Sequence, residues 1–229
     1  MKDEPAKQAK PKIFVLIDGK SLFYRGYYAM PHLSTADGRP TGGVYGFASL
    51  ALELVRQLRP DYVAVAWDKA KTNIRRRRAI YPEYKANRHP APPDFYQQIP
   101  ILRQLLEALG WPFYEVDDYE ADDIIGALSK QANRAGIHTV IASSDLDMLQ
   151  LNDDDTEVYA LKKGLSSIDR FDVKAFQAKY GIRVDQFLDL KSLKGDSSDN
   201  IPGVPGVGEK TAVALLQKYH DLDGVYAHL

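Results

Sequence analysis

Short apolar runs alternate along this chain with stretches in which apolar residues recur at helical spacing. Ile13 to Ile17 carries β-branched residues and reads as a buried strand that ends at Asp18-Gly19. Gly42 to Leu58 places Val44, Phe47, Leu50, Ala51 and Leu54 on one helical face, and Pro60 marks its end. Tyr62 to Trp67 predicts a second strand, ending at Asp68. A basic, aromatic-containing stretch then runs from Lys69 to His89, closed by Pro90, Pro92 and Pro93. A helix from about Phe95 to Leu109 stops at Gly110, and Phe113 to Val116 predicts a third strand. Tyr119 to Ala132 predicts a helix, and Thr139 to Ala142 a fourth strand ending near Asp145 and Asp147. This alternation predicts an α/β fold: a mainly parallel central sheet with helices on both faces. After about Leu165 the pattern turns helical, with short helices over Asp172 to Tyr180 and Val184 to Leu193.

Composition narrows the chemistry. A chain of 229 residues suits one α/β domain with a small appendage, and 45% hydrophobic content lets a sizeable core form. The absence of cysteine excludes disulfides and thiolate metal sites, which leaves oxygen ligands as the metal option. No apolar run approaches membrane-spanning length, and the polar opening, Met1 to Lys12, lacks a signal-peptide core and predicts a disordered tail. The net charge of -1 conceals an asymmetry: Lys69, Lys71, Arg75, Arg76, Arg77, Arg78, Lys85 and Arg88 face only Glu83 in their segment. Such a cluster points to a polyanion partner.

The acids carry the strongest signal. Glu120, Asp122 and Asp123 open a predicted helix, and Asp18, Asp68, Asp145, Asp147, Asp196 and Asp199 sit just past the ends of apolar runs. Singly, each has an ordinary structural reading. Asp117 with Glu120 fits a helix cap, Asp145 and Asp147 fit a turn, and so do Asp153, Asp154 and Asp155. Together they converge on one edge of an α/β sheet, where such folds build their sites. Carboxylates held that close call for cations, and hard divalent ions take oxygen ligands. Paired ions of that kind hydrolyse phosphodiesters.

Two further motifs point to nucleic acid. The glycine-rich stretch Gly203 to Gly208, with Gly206 inside it, leads into a helix near Glu209, and Lys210 and Thr211 add donors there. It has the form of a helix-hairpin-helix, which grips a phosphate backbone without reading sequence; the competing reading is a tight interhelical turn. The spacing of glycines rules out a nucleotide-binding P-loop. Arg75 to Arg88 mixes cations with Tyr81 and Tyr84, suited to phosphates and exposed bases, against the alternative of a solvated loop. Lys85 is placed to stabilise charge on a phosphoryl oxygen. Tyr24 and Arg25 are weaker candidates, competing with a core tyrosine beside a surface arginine.

In chain order the motifs are Ile17-Asp18-Gly19, Tyr24-Arg25, Thr41-Gly42-Gly43, Trp67-Asp68, Tyr84-Lys85-Ala86-Asn87-Arg88, Tyr119 to Asp123, Ser144-Asp145-Leu146-Asp147 and Gly195 to Gly203. In this set and order, over nearly the whole chain, the sequence resembles the 5′-nuclease (flap endonuclease, 5′-3′ exonuclease) domains found at the N-terminus of bacterial DNA polymerase I. The resemblance implies a PIN-like, resolvase-like fold with a C-terminal helix-hairpin-helix subdomain. It divides the chain into a tail over 1–12, a catalytic domain over 13–165 with a basic arch at 69–93, and a helical region over 166–229 with the hairpin motif at 197–218. It implies metal-dependent hydrolysis of DNA at 5′ ends and 5′-flap junctions, in replication and repair, by two Mg²⁺ (or Mn²⁺) ions. Asp18, Asp68, Glu120, Asp122 and Asp123 would surround the first ion, and Asp145, Asp147, Asp196 and Asp199 the second, some through water. Lys85, Arg25 and Tyr24 would serve catalysis. Arg75, Arg77, Tyr84, Arg88, Thr41, Gly42, Gly203, Gly206, Gly208, Lys210 and Thr211 would contact DNA, with K⁺ a further ion to consider at the hairpin. The implied setting is a monomer in the bacterial cytoplasm, working with a polymerase domain in the same or another chain. Leu146 and Pro205 stand where the family commonly has basic residues. A catalytically weak DNA-binding module and a PIN-like ribonuclease are the competing readings.

Overall fold

The computed structural model describes residues 10–161 and 168–228. In chain order its first elements are β1 (Lys12–Asp18), α1 (Gly19–Ala29), α2 (Gly42–Leu58), β2 (Tyr62–Ala66), α3 (Arg75–Ile80), α4 (Pro93–Gln97) and α5 (Ile99–Ala108). Then come β3 (Phe113–Tyr114), α6 (Ala121–Arg134), β4 (Ile137–Ser143), a 3₁₀ helix (Leu146–Leu151), β5 (Thr156–Leu161) and β6 (Ile168–Phe171). The remainder is α7 (Val173–Tyr180), a 3₁₀ turn (Val184–Gln186), α8 (Phe187–Lys194), β7 (Gly195–Asp196), β8 (Ile201–Pro202), α9 (Glu209–Tyr219) and α10 (Leu222–Tyr226).

The main sheet runs β3-β2-β1-β4-β5-β6, parallel except for the β5–β6 pair. Both faces are covered, which is why β1 reads as a continuous apolar run. Val15 and Ile17 join the core beneath α1, α2 and α5, while Leu16 joins the core beneath α6 and the C-terminal helices. The strand order reverses between β1 and β4, so the carboxyl ends of those two strands flank the switch point where α/β sheets place their sites. No helix among the described residues is long and apolar enough to cross a membrane.

Several expectations change in the structure. The helix expected over Phe95 to Leu109 is broken at Gln98, because Pro100 has no N–H to continue the ladder. The helical pattern expected after about Leu165 is preceded by β6, an antiparallel edge strand. The expected boundary at 165 lies outside the described residues, as do residues 1–9 of the expected tail; Lys12 belongs to β1. The helix α1 emerges directly from β1, its first turn capped by Asp18.

α1 and α2 approach backbone to backbone. A Cβ added at Gly46 would fall 2.2 Å from the Gly26 Cα, and one at Gly42 2.0 Å from the Met30 carbonyl oxygen. Gly42, expected at a DNA contact, is therefore buried packing between helices, and Thr41 precedes it in a turn closed onto the Leu33 carbonyl.

Candidate active site

Each carboxylate is delivered by an element end. Asp18 ends β1, and its Oδ1 accepts from the Ser21 amide at 3.1 Å while its Oδ2 accepts from the Ser143 hydroxyl at 2.6 Å. Asp68 lies two residues beyond β2 and takes the Ala121 amide at 2.9 Å, which ties it to the start of α6. Glu120 is the N-cap of α6 and forms a capping box with Asp123. Asp145 caps the 3₁₀ helix through the Asp147 amide. Asp196 sits in the β7–β8 ribbon, and Asp199 in the turn between those strands.

All nine carboxylates line two adjoining clefts. One, of about 420 Å³, holds Asp18, Asp68, Glu120, Asp122 and Asp145; the other, of about 550 Å³, holds Asp122, Asp123, Asp147, Asp196 and Asp199. Asp122 faces both. It makes no hydrogen bond or ion pair with any described residue. Its carboxyl is pushed well above the usual range by burial, with Asp18 and Asp145 reinforcing the shift. Asp18 rises to about 6 for the same reason, burial outweighing its two hydrogen bonds. Asp145 thus lines the cleft of Asp18, and Asp123 the cleft of Asp196.

Basic side chains bridge the other acids. Lys85 Nζ reaches both Glu120 and, at 3.6 Å, Asp199. Burial works against this ammonium, but Glu120 and Asp199 override it and hold its pKa above the usual lysine value. Lys191 spans Asp147 at 2.5 Å and Asp196 at 3.0 Å. Arg77 forks onto Asp123 at 2.7 and 2.9 Å and touches Glu120 at 3.1 Å. With these cations in place, no three acids among the described residues converge as an ion-holding set. The fit to divalent ions rests on the donor chemistry: oxygen only, and in Asp18 and Asp122 buried beside other carboxyls with no ion pair among the described residues.

Comparison with known proteins bears on this geometry. A family model described as 5′-3′ exonuclease, N-terminal resolvase-like domain, matches residues 13–181, and one described as 5′-3′ exonuclease, C-terminal SAM fold, matches 182–229. The chain belongs to the 5′-3′ exonuclease family. DNA polymerase I of Bacillus subtilis is 42% identical over 212 residues, 93% of this chain and 24% of that protein. DNA polymerase I of Chloroflexus aurantiacus is 43% identical over 218 residues, covering 93% and 23%. The chain therefore spans about a quarter of the length of the curated relatives it matches. The fold matches a bacteriophage T5 flap endonuclease in a pseudo-enzyme–product complex with DNA and metal ions, at TM-score 0.78 and 21% identity over 95% of this chain and 79% of that one. It also matches the catalytic core of Rad2 with DNA substrate, at TM-score 0.56 and 14% identity over 94% and 64%.

In this 5′-3′ exonuclease chain the basic segment 69–93 is folded onto its own acids. Lys69 pairs with Asp117, Arg75 with Asp118, and Arg76 stacks over Tyr119. Residues 81–88 clasp the loop that carries Asp199. The Lys85 amide donates to the Asp199 carbonyl, Asn87 to the Ser197 carbonyl at 2.8 Å, and Arg88 to the Ser198 carbonyl and the Asp199 carboxylate. Tyr84 is buried, and its hydroxyl donates to Glu120 at 2.7 Å and Asp199 at 2.9 Å. Arg75, Arg77, Tyr84 and Arg88, expected as DNA contacts, thus all have partners inside the chain. Lys85 holds φ at 54°, a left-handed conformation that marks a constrained position. Beside the segment lies a cleft of about 520 Å³ lined by Lys20, Tyr24, Arg78, Lys85, Arg88 and Tyr96 together with Asp68 and Glu120.

Arg25 does not join Tyr24 there. One residue further along α1 it points elsewhere, and its Nη1 donates to the Leu161 carbonyl at the end of β5. At the hairpin, Gly206 and Gly208 have open space around them, and Lys210 and Thr211 are exposed. Gly203 instead packs on the backbone of Lys194 and Gly195, where an added Cβ would fall 2.2 Å from the Lys194 carbonyl carbon. Sequence reasoning missed Lys20, Lys191 and Ser143. Lys191 had a signal: it lies five residues before Asp196, near the end of the helix α8 that leads into the acid loop.

Proposed function

We propose that this chain is a divalent-metal-dependent 5′ nuclease that hydrolyses DNA at 5′ ends and 5′-flap junctions. The observation that carries the reading is Asp122, a carboxylate with no hydrogen bond or ion pair among the described residues, shared by two clefts that gather nine acids. Two divalent ions, Mg²⁺ or Mn²⁺, would be held by acids of the two clefts and would supply positive charge to the attacking and leaving oxygens. The chain's own residues do the rest. The cleft beside residues 69–93 would receive a single strand, with Tyr24 and Tyr96 offering faces for bases and Lys20, Arg78 and Arg88 offering charge for phosphates. Lys85 leaves Glu120 for the scissile phosphate and stabilises charge developing on its oxygens. The exposed backbone at Gly206 and Gly208, with Lys210, Thr211 and a K⁺ ion, receives the duplex backbone without reading its sequence. The working unit is a monomer in a bacterial cytoplasm, serving replication and repair beside a polymerase domain.

The test is cleavage of an end-labelled 5′-flap duplex and of the matching RNA flap, in Mg²⁺, Mn²⁺ or EDTA. The reading expects metal-dependent cutting of DNA at the junction. Cutting that survives excess EDTA overturns it. Preference for the RNA flap would move the chain to a ribonuclease, and binding without cutting in any metal would make it a DNA-binding module.

A further inference from the structure

We propose that Ser143 is a positioning residue that fixes Asp18 against Asp145 and thereby sets how tightly this pair holds a divalent cation. The inference rests on the metal-dependent reading above and adds to it a residue that is itself no ligand. Asp18 and Asp145 come from the ends of β1 and β4, the two strands that flank the switch point. Two like charges so placed push apart, and Asp145 acts on Asp18 in that sense.

Ser143 is fully buried between them. Its hydroxyl accepts from the Asp145 amide at 2.9 Å and donates to Asp18 Oδ2 at 2.6 Å. A serine hydroxyl has one proton. Because the Asp145 amide occupies a lone pair, that proton is directed at Asp18 and the rotor is locked. The Ser21 amide holds the other Asp18 oxygen at 3.1 Å. One donor on each oxygen fixes the plane of the carboxylate and leaves each oxygen further lone pairs for an ion. A second tie runs alongside: Ser21 Oγ accepts from the Ser144 amide at 2.7 Å and meets the Ser144 hydroxyl at 2.5 Å. The start of α1 and the turn after β4 are thus laced together by serines at the point where an ion would sit. Supporting bonds of this kind orient metal-binding carboxylates, and their removal weakens binding by about 10–100-fold.

The experiment is calorimetric titration of Mn²⁺ and Ca²⁺ into the whole chain without DNA, for wild type, Ser143→Ala and Ser143→Thr. Flap affinity in EDTA is measured alongside. Ser143→Ala should bind Mn²⁺ about tenfold more weakly, Ser143→Thr should restore most of the loss, and flap affinity in EDTA should be the same for all three. Should Ser143→Ala fail to fold, Ser143→Cys keeps the volume, weakens both hydrogen bonds and carries the same expectation. Wild-type Mn²⁺ affinity in the alanine variant, or equal losses in the alanine and threonine variants, overturns the positioning role. A wild-type chain that binds neither ion overturns the metal-dependent reading itself, and this inference with it.

Discussion

Protonation of Asp18 should be visible as a pH-dependent stability of the metal-free protein. Burial raises its pKa from 3.8 to about 6. A carboxyl whose pKa is raised on folding contributes stability that is complete below its unfolded pKa and is lost as pH rises through the folded one. The window is therefore pH 4 to about 7. The gap between 3.8 and about 6 is worth about 3 kcal/mol. For a chain of this length each kcal/mol moves Tm by about 2–4 °C, so the Asp18 contribution is roughly 6–12 °C. The assay is thermal melting in EDTA from pH 4.5 to 8 for wild type and Asp18→Asn. Asparagine keeps the shape and still caps a helix, but does not titrate. Wild-type Tm should fall across the window, and the fall in Asp18→Asn should be smaller by that amount. Some fall should remain, since Asp122 is shifted in the same direction. Addition of Ca²⁺ at pH 8 should restore wild-type Tm, because a ligand of the folded state stabilises it. Superimposable pH profiles for the two proteins would refute the reasoning.

Lys85→Ala should lower the single-turnover rate by about 10²–10³ while flap affinity changes little; an unchanged rate at saturating enzyme would make Lys85 only a brace for Glu120 and Asp199. Asp122→Ala should abolish cleavage and raise Tm in EDTA, since it removes a carboxylate with no partner; normal cutting would exclude Asp122 from the chemistry. Gly208→Val should weaken duplex binding equally for unrelated sequences, and it is a cleaner test than Gly206, whose φ of 81° strains any side chain. A loss that depends on duplex sequence would mean base contacts instead.

Strands β1 to β4 were legible because local rules governed them, whereas β5 and β6 were not expected. β1, β2 and the Val140 to Ala142 part of β4 read as short apolar runs, and Asp18, Asp68 and Asp145 sit at or just past the ends of those strands. The partners of the cations were not legible. Arg75 and Arg77 read in sequence as cations facing a polyanion, and only folding shows them opposite Asp118 and Asp123. Arg25 and Tyr24 are neighbours in sequence but diverge on a helix. By the resemblance Thr41 and Gly42 would contact DNA, yet the close approach of α1 and α2 explains Gly42. β6 was missed because Asp169 and Arg170 interrupt its apolar pattern, and an edge strand needs no continuous run.

The charge held in the two clefts argues for an order of binding. Nine carboxylates and six basic side chains, Lys20, Arg77, Lys85, Arg88, Lys130 and Lys191, line them, a formal excess of three negative charges with every carboxyl ionised, which the raised pKa values of Asp18 and Asp122 reduce. A phosphate approaching the metal-free site meets that excess, and Lys20, Arg77, Lys85, Arg88 and Lys191 are engaged with acids. Two divalent ions would turn the excess into a net positive charge, and by taking over Glu120, Asp147 and Asp196 they would free Lys85 and Lys191 for phosphate. Ions and DNA should therefore bind cooperatively, each strengthening the other by the same factor. Flap affinity measured at one ionic strength in Ca²⁺ and in EDTA tests this. Binding should be tighter in Ca²⁺, and Lys191→Ala should shrink the difference. Equal affinity in the two buffers would mean that the cations already face the DNA and that the pairs seen here break without help from metal.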